Sequence, residues 1–412
     1  MSFATLWESL LPIGRDGPSG GYQRFSWTPE DAACRAWFTR AAAERDLRVL
    51  TDNNGNLWAW WDPPGSPGPG APGGSKAVVT GSHLDSVPNG GAFDGPLGIV
   101  SAFAAVDQLR ERGCLPVRPL GIAAFTEEEG ARFGVACLGS RLLAGAIDPG
   151  AARALADAAG VTLAEAMAAA GHDPDGIGPD DGLFAAVGAY VELHIEQGRA
   201  LADLGAAIAV GEQIWPHGRW RLDFTGRPDH AGTATLADRR DPMLPFAAAV
   251  LAARQAAASH GARATIGKVT AEPGAVNAVS ARVCAWLDAR GPDERTLRAV
   301  VGEVLAAARE AAAGHGVELT AEAESLTPAV VFDQGLRERL ASSLAGQDIP
   351  APLLPTGAGH DAGVLAARVP AAMLFVRNPT GVSHSPAEHA EPADCAAGVR
   401  ALATVLEDLA CR

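Results

Sequence analysis

The chain has 412 residues, enough for more than one domain, and 48% of them are hydrophobic, enough for a sizeable core. Acidic residues outnumber basic ones, 48 against 33, giving a net charge of −15, and no basic block or stripe occurs; nucleic acid and anionic membrane surfaces are therefore excluded as expected partners. No uncharged run reaches the ~18 residues of a membrane span. The first stretch, with no lysine or arginine before Arg15 and Glu8 in its apolar part, does not read as a secretion signal. The six cysteines are scattered with no CxxC spacing and read as reduced thiols of a cytoplasmic protein.

In chain order, residues 30–48 show helical periodicity and Leu57 to Trp61 reads as a strand. The stretch PPGSPGPGAPGG, residues 63–74, reads as a flexible surface loop. From residue 77 strands and helices alternate: a strand at 77–80, a helix at about 97–112, a strand at Leu120–Phe125 and another at Ala189–Ile195. Such interleaving predicts an α/β fold, a mostly parallel sheet with helices on both faces. The rhythm changes over 211–325, where the order strand, helix, strand, strand, helix, strand is the split βαβ arrangement. We therefore expect a first domain of residues 1–210 and 326–412, with 211–325 inserted into it as a ferredoxin-like βαββαβ domain. The last part holds a helix at 334–345, a strand at Ala371–Val376 and a C-terminal helix from about 392.

Polar motifs follow the strands of the first domain. His83-Leu84-Asp85 closes the first, and because residues two apart in a strand share a face, Asp85 can hold one ring nitrogen of His83 and leave the other free. Asp94 follows among glycines; alone it reads as a turn residue. Glu127-Glu128-Glu129 follows the second strand; alone it reads as a solvated helix start. His194 lies one residue from the end of the third strand, and Ser383-His384-Ser385-Pro386 follows the last. Ligands on open α/β sheets sit at the carboxyl ends of strands, and these groups all fall there. Imidazoles and carboxylates together suit borderline divalent metals: zinc, manganese, cobalt or nickel. One carboxylate bridging two ions would form a two-metal site, and a spare carboxylate beside it is a natural general base.

The chain resembles the hydantoinase/carbamoylase family of two-metal amidohydrolases, a group that includes N-carbamoyl-L-amino acid hydrolases, allantoate amidohydrolases and β-ureidopropionases. The resemblance rests on GSHLDSVPNGGAFDGPLG, TEEEGARFGVACLGSR, ELHIEQG, DHAGTATLADRRDPM, VNAVSARVCAWLDAR, GAGHDA and GVSHSPAEH, in that order along nearly the whole chain. It implies that His83, Asp94, Glu129, His194 and His384 hold two divalent ions, with Asp94 bridging. It further implies that Glu128 is the general base, that Asp85 orients His83, and that His230 of the inserted lid and dimerisation domain reaches the partner's active site to stabilise the oxyanion. Asn277 and Arg290 match the family's carboxylate-binding pair, and Gln197 and His360 match substrate-contacting positions. Read from the residues alone, Arg290 could equally pair with Asp288, Asn277 could sit in a turn and His230 could cap a loop. The chain departs from the family at Ala278-Val279-Ser280, at Thr235-Leu236-Ala237 and at His389.

The implied activity is hydrolysis of the C–N bond in an N-carbamoyl derivative of a small carboxylic acid, by a homodimer. The alternatives are an N-formyl- or N-acyl-amino acid hydrolase and a non-catalytic, metal-dependent binding module.

Overall fold

The computed structural model describes residues 2–66, 68 and 75–412. Most of the loop expected over 63–74 lies outside the described residues. The chain forms two compact units, one of residues 1–212 and 331–412, the other of residues 213–330.

The first unit is built on a nine-stranded sheet. Its centre is four strands in the order Leu120–Phe125, Ala77–His83, Val187–Ile195 and Ala371–Val376, all parallel to their neighbours. Three of the four are buried along their whole length, as expected of strands covered on both faces. The flanks differ from an all-parallel pattern: Leu57–Trp61 joins one side antiparallel and Ile208–Ile214 the other. One face of the sheet, with Val78, Ile122, Val191 and Leu374, packs under the helices Pro29–Ala43, Pro96–Glu111 and Pro392–Ala410 in one continuous core. The other face presents Val79 and Tyr190 to Leu143, Phe184 and Leu365.

The helix Pro96–Glu111 lies so close to the sheet that a Cβ at Gly98 would stand 2.3 Å from the Leu193 carbonyl oxygen and 2.8 Å from Ser82 Cβ. Gly98→Ala is therefore expected to destabilise the fold by about 1–3 kcal/mol. The check is a lower denaturant midpoint at unchanged m; an unshifted midpoint would show that the helix moves away at no cost.

The reading of all six cysteines as free thiols is corrected. Cys114 and Cys411 form a disulfide across a sequence separation of 297 residues, while Cys34, Cys137, Cys284 and Cys395 stay free and buried. Spacing could not reveal the pair. It exists because the segment after the helix Pro96–Glu111 is laid against the end of the C-terminal helix, where the Val117 amide donates to the Ala410 carbonyl at 2.8 Å.

The second unit is a four-stranded antiparallel sheet in the order Glu318–Thr327, His217–Thr225, Arg282–Arg290, Arg263–Glu272. With the helices Met243–His260 and Glu294–Gly314 it has the βαββαβ connectivity. The second helix shows why: Leu297, Val300, Val301, Val304 and Ala308 recur every three or four residues and bury one stripe against Leu222, Phe224, Val283 and Leu287. Asp293 caps it, accepting from the Thr296 amide at 2.7 Å. A further small ladder pairs Asp229–His230 with Ala278–Val279. No described helix is long and apolar enough to cross a membrane.

Candidate metal centre

Each of the four central strands delivers a polar group at its carboxyl end. His83 is the last residue of its strand, His194 the last but one of another, and Glu127–Glu129 begin two residues after Phe125. After Val376 a loop is folded on buried Asn378, whose amide donates to the Val382 carbonyl and whose oxygen accepts from the Thr380 and Gly381 amides, so that Ser383 and His384 are presented from a fixed turn. His384 (φ 54°), Glu127 (φ 56°) and Cys137 (φ 54°) take the left-handed conformation that side chains seldom adopt, and such strain concentrates at functional sites. Gly95, at φ 84°, turns the chain between Asp94 and the helix; a Cβ there would lie 2.5 Å from His83 Nδ1.

The carboxylate of Asp94 lies at the centre. Its Oδ1 is 3.2 Å from His194 Nε2 and 3.5 Å from His83 Nε2. Its Oδ2 is 3.4 Å from His384 Nε2, which is itself 3.4 Å from Glu129 Oε2. Two groups able to hold a cation thus share this one residue: His83, Asp94 and His194, all buried, and Asp94, Glu129 and His384. The ring tautomers suit the task. His83 Nδ1 faces the Asp85 carbonyl at 3.2 Å and His194 Nδ1 the Ile195 carbonyl at 2.8 Å. With those nitrogens as donors, both Nε2 atoms face the cradle as lone pairs, and both are buried without a hydrogen-bond partner. Orphaned, inward-facing imidazole nitrogens beside a shared carboxylate are what a bound cation would satisfy, so the donor set fits divalent ions.

The electrostatics of the cradle agree. Burial opposes ionisation of Asp94, yet the imidazoles of His194, His384 and His83 close beside it hold it well below the usual carboxylate range. Burial lowers the proton affinity of His83, but Glu128, Asp85 and Asp94 together raise it well above that of a free imidazole. His384 is pushed up to about 9, first by its bond to Asp94 and also by Glu129. Burial lifts Glu128 well above its ordinary value, and lifts Glu129 to about 7. Imidazoles and carboxylates thus favour each other's charged forms in this cradle, and a cation would compete with protons for it.

The other expected residues divide. Asp85 lies 3.4 Å from His83 Nδ1, but its carboxylate also accepts from the Glu128 and Glu129 amides, at 3.2 and 3.0 Å, and so fixes the turn carrying both acids. Gln197 donates to Asp94 Oδ2 at 2.8 Å. The buried His360 packs edge-on against His194, with ring centroids 4.5 Å apart, and burial with the adjacent His194 holds its proton affinity well below normal. His230, Asn277 and Arg290 belong to the second unit. There the Asn277 carbonyl accepts from the Ala231 amide at 2.9 Å, which sets Asn277 beside His230, and Arg290 Nε donates to Asp288 at 2.9 Å.

Three contributors were not anticipated. The Cys137 thiol donates to Glu128 Oε1 at 3.2 Å. Buried Glu192 accepts from Ser82 Oγ and from the Ala362 amide behind the histidines, both at 2.9 Å. Buried Glu388 accepts from the Asp94 amide at 2.9 Å. The signal for Glu388 was its place in GVSHSPAEH.

The sequence profile of peptidase family M20/M25/M40 matches residues 79–408. The chain belongs to this family. As an M20/M25/M40 member with amidohydrolase relatives it is a hydrolase of carbon–nitrogen bonds. The family is metal-dependent, and the groups around Asp94 are this member's candidate ligands. An N-carbamoyl-L-amino acid amidohydrolase of Geobacillus stearothermophilus is 36% identical over 404 residues, 96% of each chain. An allantoate amidohydrolase of Escherichia coli K12 is 32% identical, covering 98% of this chain and 97% of that one. Among solved structures, an amidase of the hydantoinase/carbamoylase family from Burkholderia multivorans superimposes with a TM-score of 0.85 at 30% identity, covering 100% of this chain and 98% of that chain.

Proposed function

We propose that this M20/M25/M40 member hydrolyses the C–N bond of N-carbamoyl derivatives of small carboxylic acids, such as N-carbamoyl-L-amino acids or allantoate, releasing ammonia and carbon dioxide. The observation that carries the reading is the division of Asp94, with one oxygen toward His83 and His194 and the other toward His384, beside Glu128. His83 and His194 with Asp94 would hold one divalent ion, and Glu129 and His384 with Asp94 a second, of the zinc, manganese, cobalt or nickel type. Such ions supply Lewis acidity, which brings the pKa of water toward neutrality and polarises a carbonyl.

The rest falls to the side chains. Glu128 takes a proton from the attacking water and returns it to the departing nitrogen; its burial, which strengthens its hold on a proton, suits that relay. Asp85 orients His83 and the Glu128 turn. His230 of a second protomer donates to the developing oxyanion. Its Nδ1 accepts from the Gly232 amide at 3.0 Å, which leaves Nε2–H as the ring's donor. Asn277 and Arg290 take the substrate carboxylate, the Arg290 fork being pre-oriented by Asp288. Gln197 and His360 shape the pocket. Homodimerisation through the second unit is supported by Leu244 and Leu251, two turns apart on one helix and 48% and 72% exposed. Residence in the cytoplasm is part of the reading; the four free buried cysteines support it, while the Cys114–Cys411 disulfide points the other way.

The test is kcat/KM over matched N-carbamoyl and N-formyl amino acids together with allantoate, with zinc, manganese, cobalt or nickel. A ureido acid is expected to exceed its matched N-formyl counterpart in kcat/KM. Preference for the formyl series would overturn the assignment.

A further inference from the structure

Glu388 touches none of the outer faces from which a substrate could arrive; it is 4% exposed and lies beneath the loop that carries Asp94. Its Oε1 accepts from the Phe93 amide and from the Asp94 amide, both at 2.9 Å. Its Oε2 faces Ser383 Oγ at 3.1 Å, and that hydroxyl is also 3.1 Å from Asp94 Oδ2. The hydroxyl has one proton and two carboxylates to serve, so it ties them into one unit. Ser383 immediately precedes His384, and Glu388 closes the same turn, its amide donating to the Ser385 carbonyl at 3.0 Å. A single side chain therefore joins the Asp94 loop to the His384 loop, which are almost 300 residues apart in sequence. The fit leaves no slack: a Cβ on Gly91 would stand 2.3 Å from Glu388 Oε1.

We propose that Glu388 is the positioning residue of the bridging carboxylate: it fixes Asp94 by its backbone and His384 by its turn, and so sets the geometry of the Asp94, Glu129 and His384 half of the cradle. The inference rests on the two-ion reading of Asp94. It assigns Glu388 no contact with substrate and no proton transfer. It also gives Gly91 a role: the glycine makes room for the Glu388 carboxylate.

The test is Zn2+ binding to the full chain, read stepwise by competition with a chromophoric chelator, together with thermal melting of the metal-free protein. Glu388→Ala leaves the Phe93 and Asp94 amides without this acceptor and is expected to weaken the second Zn2+ by about 10–100-fold, with a smaller effect on the first. Glu388→Gln keeps an oxygen for both amides and an amide donor for Ser383 Oγ, and is expected to restore Zn2+ binding to near the wild-type level. A merely structural role predicts lower melting temperature for both variants with both Zn2+ affinities unchanged, and that result overturns the inference. Equal losses for alanine and glutamine also overturn it. Should Glu388→Ala not fold, Gly91→Ala decides, since it crowds the same carboxylate without removing it: weaker second-site binding supports the inference, and wild-type binding contradicts it. Wild-type protein that binds one Zn2+ would instead sink the two-ion reading, so the two failures are distinguishable.

Discussion

Glu128→Gln is expected to lower kcat by about 10²–10⁴-fold on the preferred ureido substrate, the usual contribution of a positioned general base. Glutamine keeps the shape and keeps an oxygen for the Cys137 thiol, 3.2 Å from Oε1 in the native chain, but it cannot accept and return a proton. The metal content should not change, because Glu128 stands outside both three-residue groups that share Asp94. Steady-state rates with parallel metal analysis check both halves. Turnover within a few-fold of wild type, at full metal content, would remove Glu128 from the role.

The second large effect is expected at Asp94. Asp94→Ala takes away the carboxylate that lies within 3.5 Å of all three imidazoles, His83, His194 and His384. Fewer than two ions should remain after gel filtration, and activity should fall by at least about 10³-fold, since metal assistance supplies several kcal/mol to such reactions. Gln197 and Ser383 lose their shared partner at the same time, so the loss should exceed that of Gln197→Ala, which removes only one donor to Asp94. Metal content and activity unchanged in Asp94→Ala would contradict the bridging role.

Much of this site can be read from the chain because its residues sit at strand ends, where a buried apolar run stops and a polar motif begins. His83, His194 and the Glu127–Glu129 run announce themselves in this way, and the structure brings them and Asp94 and His384 to one edge. In the second unit the helix Glu294–Gly314 carries a clean apolar stripe, and Trp220 to Phe224 alternates as a strand. Other features have no local signal. Cys137 matters because a left-handed backbone turns its thiol toward Glu128, and nothing in the residues around it announces that turn. Glu388 lies in the motif GVSHSPAEH, yet its contact with amides almost 300 residues away leaves no mark in the residues around it. The disulfide joins two cysteines that no spacing rule relates, and the short Asp229–His230 ladder is too brief to show a period. The antiparallel flanks of the sheet were likewise hidden, because alternation tells a strand from a helix but not the direction of its neighbour.

The most direct measurement of the two-ion account is anomalous diffraction from crystals of the wild-type chain grown with zinc or manganese. Two peaks should appear, roughly 3.5–4 Å apart, one beside His83 and His194 and the other beside Glu129 and His384, with Asp94 between them. A single peak, or a second one placed away from Asp94, would contradict it.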